Sequence, residues 1–418
     1  MFFRRRKLQA LEERGPLKVM FVITSMPVGG AETLLVNLVR RMDRTRFEPE
    51  LCCLKEFGPL GEVLAREIPA FQKLIRNKYD IGVIGRLARL MRKRRIDAVV
   101  TVGTGGDKMF WGRLAALQVG LPVILSALHS TGLPDHVEFP NRLLAPITDG
   151  FIGCAKPHGE YLATNEGCPR HKVFVIPNGV DVGRFRPCEP DAVLARSIGV
   201  TLGAPTATIV AALRPEKNHE LFLAAAARVR QQLPDAQFLV IGDGPRRGEL
   251  EQRSAELGIR DAVRFLGTRS DVPQLLGLTD VLVLNSHMEA NPVSILEGLA
   301  CGKPVVSTRV GSIGETVLEG VNGFLVDPGS TDQLASRIHL LLADQDRARQ
   351  MGSEGRRIVE AGWSLERMVD GYQNLIENIY RKKSDRRLAA GGQGANEVVA
   401  SQDSTWAMTN QAEPVEIG

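Results

Sequence analysis

Short apolar runs alternate with helix-forming stretches through most of this chain, and the alternation starts afresh midway along it. Apolar runs at 18–24, 47–54, 98–102, 123–128, 151–154 and 173–176 are interleaved with helical patterns at 31–41 and 81–95. After the break Pro177-Asn178-Gly179-Val180-Asp181, the cycle restarts with strand patterns at 208–213, 237–241, 263–266 and 281–284 and helical patterns at 220–231, 250–257 and 294–300. Continuous rather than alternating apolar runs are what a strand needs when both faces of its sheet are covered, as in parallel sheets. Strand–helix alternation of this kind specifies doubly wound α/β units. A chain of 418 residues also exceeds what one core usually supports, so two such units are expected. A Pro and a Gly in the break suit a sharp change of direction, which places the hinge near residues 178–185.

The six cysteines include no C-x-x-C pair, and no histidine lies at metal-ligand spacing from them. Adjacent Cys52 and Cys53 fall within an apolar run, which reads as reduced core packing in a reducing compartment. Met1-Phe2-Phe3 leads directly into Arg4-Arg5-Arg6-Lys7 without the apolar stretch of a secretory signal. No run is long enough to span a bilayer. The expected location is therefore the cytoplasm, with an association on the inner face of a membrane left open. The net charge of +5 is modest, but arginines and lysines crowd the N-terminal half at 4–7, 40–46 and 92–95. That skew favours an anionic membrane surface or an anionic acceptor. Nucleic acid is disfavoured, because no aromatic residues interleave with the basic ones to form a stacking platform.

Five groups of residues stand where chemistry is expected in such a fold. Glu289 and Glu297 lie on either side of a polar loop between the apolar run 281–284 and the helical stretch 294–300. The loop would open at the carboxyl edge of a sheet, where ligands of open α/β sheets bind. Glu289 would face that crevice, Glu297 could turn back to the same ligand from about two helical turns on, and the free N–H groups around Asn291 and Val293 would favour an anion. Arg214 and Lys217, in Arg214-Pro215-Glu216-Lys217, follow the first strand of the second unit and could grip two phosphates from one side. Gly29 and Gly30 follow the first strand of all and permit close backbone approach to a ligand at a helix start. They do not form a G-x-G-x-x-G fingerprint, and no acid closes the second strand, so a dinucleotide site is disfavoured. Gly242 and Gly244 repeat the strand-to-turn pattern, and His129 ends the strand 123–128.

From Val281 to Pro328 the chain resembles the donor-binding half of retaining glycosyltransferases of family 4, which have two facing Rossmann-like domains (the GT-B fold). The E-x7-E element of Glu289 and Glu297 and the strand Cys301-Gly302-Lys303-Pro304-Val305-Val306 carry that resemblance, and further segments extend it over most of residues 18–382. It implies an α/β GT-B fold with a central cleft. The divisions expected are a basic extension at 1–17, an acceptor domain at 18–178, a nucleotide-sugar domain at 179–364, a helix at 365–383 that returns to the first domain, and a disordered tail at 384–418. The resemblance also implies a retaining transfer from a nucleotide-diphosphate sugar to a glycan or lipid-linked acceptor, with no cofactor and no metal. In its terms Arg214 and Lys217 clamp the diphosphate, Glu297 takes the ribose hydroxyls, and Glu289 with Asn291 and Val293 takes the sugar. Gly29 and Gly30 cover the donor, Gly242, Gly244 and the segment of Leu266 meet the nucleotide and its base, and His129 approaches the reaction centre. Asp135 and His136 could reach an acceptor. Ala290 and Asn291 replace the glycine and aromatic residue usual after the first Glu, and Gly314 stands where proline is common, so these departures fall around the sugar pocket. Two other functions share this architecture: a nucleotide-sugar epimerase, and an inactive binding protein that retains the fold.

Overall fold

A computed structural model describes residues 8–77, 79–103, 109–129 and 138–392. The first half forms a parallel sheet from β1 (Leu17–Ile23), β2 (Phe47–Cys53), β3 (Ala70–Phe71), β4 (Ala98–Gly103), β5 (Val123–Leu128), β6 (Gly150–Gly153) and β7 (Val173–Val175), in the order β3-β2-β1-β4-β5-β6-β7. The second half forms another from β8 (Thr206–Val210), β9 (Gln237–Ile241), β10 (Val263–Gly267), β11 (Val281–Leu284), β12 (Val305–Thr308) and β13 (Gly323–Val326), in the order β10-β9-β8-β11-β12-β13. In each sheet the winding direction reverses between the first strand and the fourth, at β1/β4 and at β8/β11. Loops on either side of such a reversal part from one another and leave a crevice.

Both faces of the first sheet are covered. The helix Gly30–Arg41 packs on one face beside the last helix, whose Met368, Val369, Tyr372 and Ile376 share a core with Val19, Phe21 and Val100. The helices Gly82–Arg94 and Met109–Val119 cover the other face through Val83, Leu87, Met91 and Ala115. The first of these stops at Arg95, whose φ of 59° is left-handed.

Two crossings join the halves and are bonded to each other. Val180 N–H donates to Trp363 O at 2.9 Å, and Leu365 N–H donates to Val180 O at 3.1 Å. Gly179 lies so close to the second crossing that a Cβ there would come within 2.5 Å of Ser364 O. This tie lets the last helix, Leu365–Gly392, leave the second half and dock on the first.

Two expectations are corrected. The tail expected from residue 384 is helical as far as Gly392, because the amphipathic pattern that anchors Tyr380 carries the helix past the point where composition changes; residues 393–418 lie outside the described residues. The extension expected at 1–17 is part of the first domain from Leu8 on. Leu8 is buried, the short helix Leu11–Arg14 touches the last helix, and Arg14 pairs with the buried carboxylate of Asp97 at 2.6 Å. Burial of one leucine and one charge partner is a tertiary event that local composition does not report.

Candidate active site

The loop after β11 is fixed by its neighbours before any ligand is considered. Asn285 Nδ2 donates to Asn218 O, His287 N–H donates to Glu216 O at 2.8 Å, and Thr308 Oγ1 donates to Ser286 O at 2.7 Å. Gly311, with φ of 53°, passes beneath the loop so closely that a Cβ would lie 1.6 Å from Glu289 O. In this setting Glu289 is buried, and its Oε1 accepts from Ser286 Oγ at 2.7 Å and from Lys217 Nζ at 2.5 Å. Lys217 reaches it from the 3-10 turn Pro215–Lys217 after β8, which ends in the left-handed Asn218. The two loops at the β8/β11 reversal thus present one carboxylate and one ammonium as a coupled pair.

Glu297 sits one turn into the helix Val293–Ala300. Its carboxyl is pushed up to about 7 by burial, against a lowering by Arg184, so it can hold or release a proton near neutrality. Asn291 is buried; its carbonyl accepts from Asn178 Nδ2 at 2.8 Å and its Nδ2 lies 3.4 Å from Thr316 Oγ1. Its Oδ1 has no partner among the described residues. Val293 packs against the core of the first domain.

The first domain meets these groups across the cleft. Gly30 adjoins the start of the helix Val293–Ala300, where an added Cβ would lie 3.7 Å from Val293 Cγ2. A Cβ on Gly29 would strike Glu32 Oε2. Glu32 itself is raised by burial and lowered by its own backbone N–H and by Arg214, which puts Arg214 within electrostatic reach of the first domain. From the 3-10 turn Ile313–Glu315, the Glu315 carboxylate accepts from Lys156 N at 3.1 Å and caps the helix Lys156–Thr164 of the opposite domain. His129 N–H donates to Gly103 O at 3.1 Å, and burial together with neighbouring His158 lowers its imidazole to about 4. It is therefore neutral at physiological pH, and its Nδ1 has no partner among the described residues. His158 Nδ1 in turn lies 3.2 Å from Cys154 N and 3.0 Å from Cys154 Sγ.

The structure thus gathers Gly29, Gly30, Arg214, Lys217, Glu289, Asn291, Val293 and Glu297 around one cleft and sets His129 at the end of β5. Gly242 and Gly244 are different. A Cβ at either would strike the backbone, Ala211 O at 2.0 Å for Gly242 and Leu213 O at 2.5 Å for Gly244. Their smallness serves the packing of the β9 loop on the β8 loop, fixed by Leu213 N–H donating to Asp243 O at 3.0 Å, and so supports Arg214 from behind. Leu266 lies half-buried in β10, an edge strand. Asp135 and His136 lie outside the described residues. Sequence reading passed over Glu32, His158 and Asn178. Glu32 had a local signal in its place two residues after Gly30, whereas the other two meet the site only through the packing of distant segments.

Two family profiles match the chain: one described as glycosyl transferases group 1, over residues 195–358, and one described as glycosyltransferase family 4, over residues 28–184. An Escherichia coli UDP-Gal:alpha-D-GlcNAc-diphosphoundecaprenol alpha-1,3-galactosyltransferase is 25% identical over 384 residues, covering 88% of this chain and 98% of its own. A Mycolicibacterium smegmatis GDP-mannose-dependent alpha-(1-6)-phosphatidylinositol monomannoside mannosyltransferase is 29% identical over 296 residues, covering 68% of this chain and 70% of its own. The crystal structure of Anabaena Alr3699/HepE in complex with UDP superposes with a TM-score of 0.72 at 22% identity, covering 90% of this chain and all of the other.

Proposed function

Because the chain belongs to the group 1 glycosyltransferases of GT-B fold, we propose that it moves a sugar from a nucleotide-diphosphate sugar to a lipid-linked or glycan acceptor with retention of anomeric configuration. The observation that carries this reading is the Lys217–Glu289 pair at 2.5 Å, set at a strand-order reversal with Arg214 beside it and the Gly29-Gly30 loop opposite. Donor diphosphate would draw Lys217 away from Glu289 and join it to Arg214, two cations suited to an anion whose charge grows as the bond to the sugar breaks. Glu289, released from the ammonium, would accept hydrogen bonds from sugar hydroxyls while Ser286 keeps its Oε1 in place. Glu297 would take the ribose hydroxyls.

Transfer breaks the bond between the anomeric carbon and the diphosphate oxygen and joins that carbon to the acceptor hydroxyl oxygen, on the face the diphosphate leaves. The acceptor proton passes to the departing phosphate. No residue of the chain is required as a covalent intermediate, and positive charge from Arg214 and Lys217 supplies the neutralisation that a metal ion supplies elsewhere. Contacts of Val293, Asn178 and Glu315 across the cleft hold the domains together and exclude water, which limits hydrolysis of the donor. The lipid-linked acceptors named for the two relatives support an acceptor of that class, met at the cytoplasmic face of a membrane in the synthesis of envelope glycans. Among the described residues no helix is long and apolar enough to cross a membrane, so such an acceptor would be reached from the surface.

A thermal-shift screen of UDP, GDP and ADP sugars tests the donor. A ligand at 100 times its dissociation constant stabilises by about 2.7 kcal/mol, and the stabilising donor is then supplied with lipid extract to follow its sugar into product. Free epimerised sugar formed without acceptor, or no shift with any donor, would overturn the reading.

A further inference from the structure

A second buried histidine stands behind His129. His158 is the third residue of the helix Lys156–Thr164 and is 1% exposed. The helix lies tight against the strands beneath it: a Cβ on Gly153 would come within 3.2 Å of Gly159 N, and one on Gly159 within 2.9 Å of Val175 Cγ2. Held so, the imidazole reaches back to the end of β6, as side chains at this helical position do when they serve the free N–H groups of a helix start. Its Nδ1 accepts from Cys154 N–H at 3.2 Å and lies 3.0 Å from Cys154 Sγ. A ring nitrogen that accepts carries no hydrogen, so in the neutral imidazole the hydrogen is on Nε2.

The close sulfur does not make this pair a nucleophile. Burial pushes the Cys154 thiol up to about 12, with Glu315 and Glu289 of the opposite domain also raising it, so it stays protonated and is a second donor to Nδ1. Residue pairing between β5 and β6 runs Leu125 with Gly150, Ser126 with Phe151 and Ala127 with Ile152; continued along the strands, it sets His129 opposite Cys154. His129 therefore neighbours the ring that Cys154 holds, and its own Nδ1 is a buried acceptor without a partner among the described residues.

We propose that His158 is a positioning residue for His129: with a turn of the rings about χ2, a torsion with broad wells, His158 Nε2–H donates to His129 Nδ1 and leaves the hydrogen of His129 on Nε2, directed to the cleft. Donation then runs one way, from Cys154 through His158 and His129 toward the ligand. The helix that carries His158 begins at Lys156, whose N–H is taken by Glu315 of the second domain, so both domains fix the element behind His129. The consequence for catalysis rests on the reading that His129 meets the donor sugar, and it deepens that reading: a donor of fixed direction aligns the sugar over its departing phosphate, which raises kcat more than affinity.

Nuclear magnetic resonance of the full chain with isotope-labelled histidine, near neutral pH and without donor, reads which ring nitrogen carries the hydrogen; His129→Asn identifies the signals. His129 should hold it on Nε2. Glutamine places an amide donor where His158 has Nε2, so His158→Gln should keep that tautomer, whereas His158→Leu should give a mixture. His158→Asn keeps an acceptor for Cys154 N–H but is too short to reach His129, and it should match His158→Leu even where leucine disturbs the fold. In transfer, His158→Leu and His158→Asn should lower kcat about 10- to 100-fold with donor KM within about threefold, and His158→Gln should recover to within about fivefold of the unaltered chain. A role in packing alone would follow side-chain size and leave the tautomer unmoved. His129 carrying its hydrogen on Nδ1, one spectrum common to the unaltered chain and all three His158 variants, or equal loss of kcat in the three would overturn the inference. Control of the tautomer by His158 in a chain that transfers no sugar would end the enzymatic reading and leave the positioning of His129 standing.

Discussion

Replacing Glu297 by glutamine separates the cost of burying its carboxyl from its service to a ligand. An acid raised by burial from 4.5 to about 7 is held protonated in the folded chain over a range where the unfolded chain has released its proton. The folded state then binds more protons than the unfolded one, so stability falls as pH rises from about 4.5 to about 7 and levels off above it. At 1.36 kcal/mol for each unit of pKa, ionised Glu297 costs the fold at most about 3 kcal/mol at pH 8. Glu297→Gln keeps the shape and removes the titration. The ligand-free variant should match the unaltered chain near pH 5 and exceed it at pH 8 by up to about 3 kcal/mol, roughly 6–12 °C in Tm for a domain of 150–250 residues. Melting both proteins in parallel from pH 5 to 8 cancels every other titrating group. If Glu297 also receives ribose hydroxyls, nucleotide affinity of the more stable variant should be about tenfold weaker, as expected when one charged hydrogen bond is lost. A difference in Tm that stays constant across this range would show that the carboxyl is not desolvated as its position implies.

Further outcomes follow from the same geometry. Lys217→Ala should cut transfer by about 10²–10³ through loss of a charge donor to the leaving group, while circular dichroism shows the fold retained; full turnover would remove the clamp assignment. Gly311→Ala forces a Cβ onto Glu289 O from a left-handed φ and should abolish donor binding in calorimetry, and normal binding would show that the loop position is not fixed from beneath. Arg14→Ala removes the cation beside Asp97, which is 1% exposed and also accepts from Lys18 N–H, and should destabilise the first domain by about 3 kcal/mol in denaturant titration. An unchanged midpoint would return residues 8–17 to the status of an appendage.

The sheet architecture was legible because parallel strands advertise themselves. Val123–Leu128, Gln237–Ile241 and Val281–Leu284 occupy the same residues in the sequence pattern and in the structure, since a strand covered on both faces must be apolar throughout. The short β3 and the helix Gly58–Leu64 were not legible; two residues and seven residues are too few to show a period. At the site, Arg214, Lys217, Glu289 and Glu297 could be found because each sits in a short segment next to a strand end, and local order along the chain is what sequence records. At Gly242 and Gly244 small size is visible in the sequence but the protein atoms that need the room are not; here they are the backbone of Ala211 and Leu213.

What the sequence determined by itself is the pair of parallel sheets and the residues that stand at the strand ends of the second domain, because period and charge spacing act over a few residues. What only the tertiary structure decided is how those ends are engaged. Lys217 is found already paired with Glu289, 72 residues away, Glu315 caps a helix 159 residues earlier, and Arg46 is met by Glu377 of the last helix. Each of these depends on which distant carboxylate or amide fills the space beside a given side chain, and that is settled by the packing of whole domains.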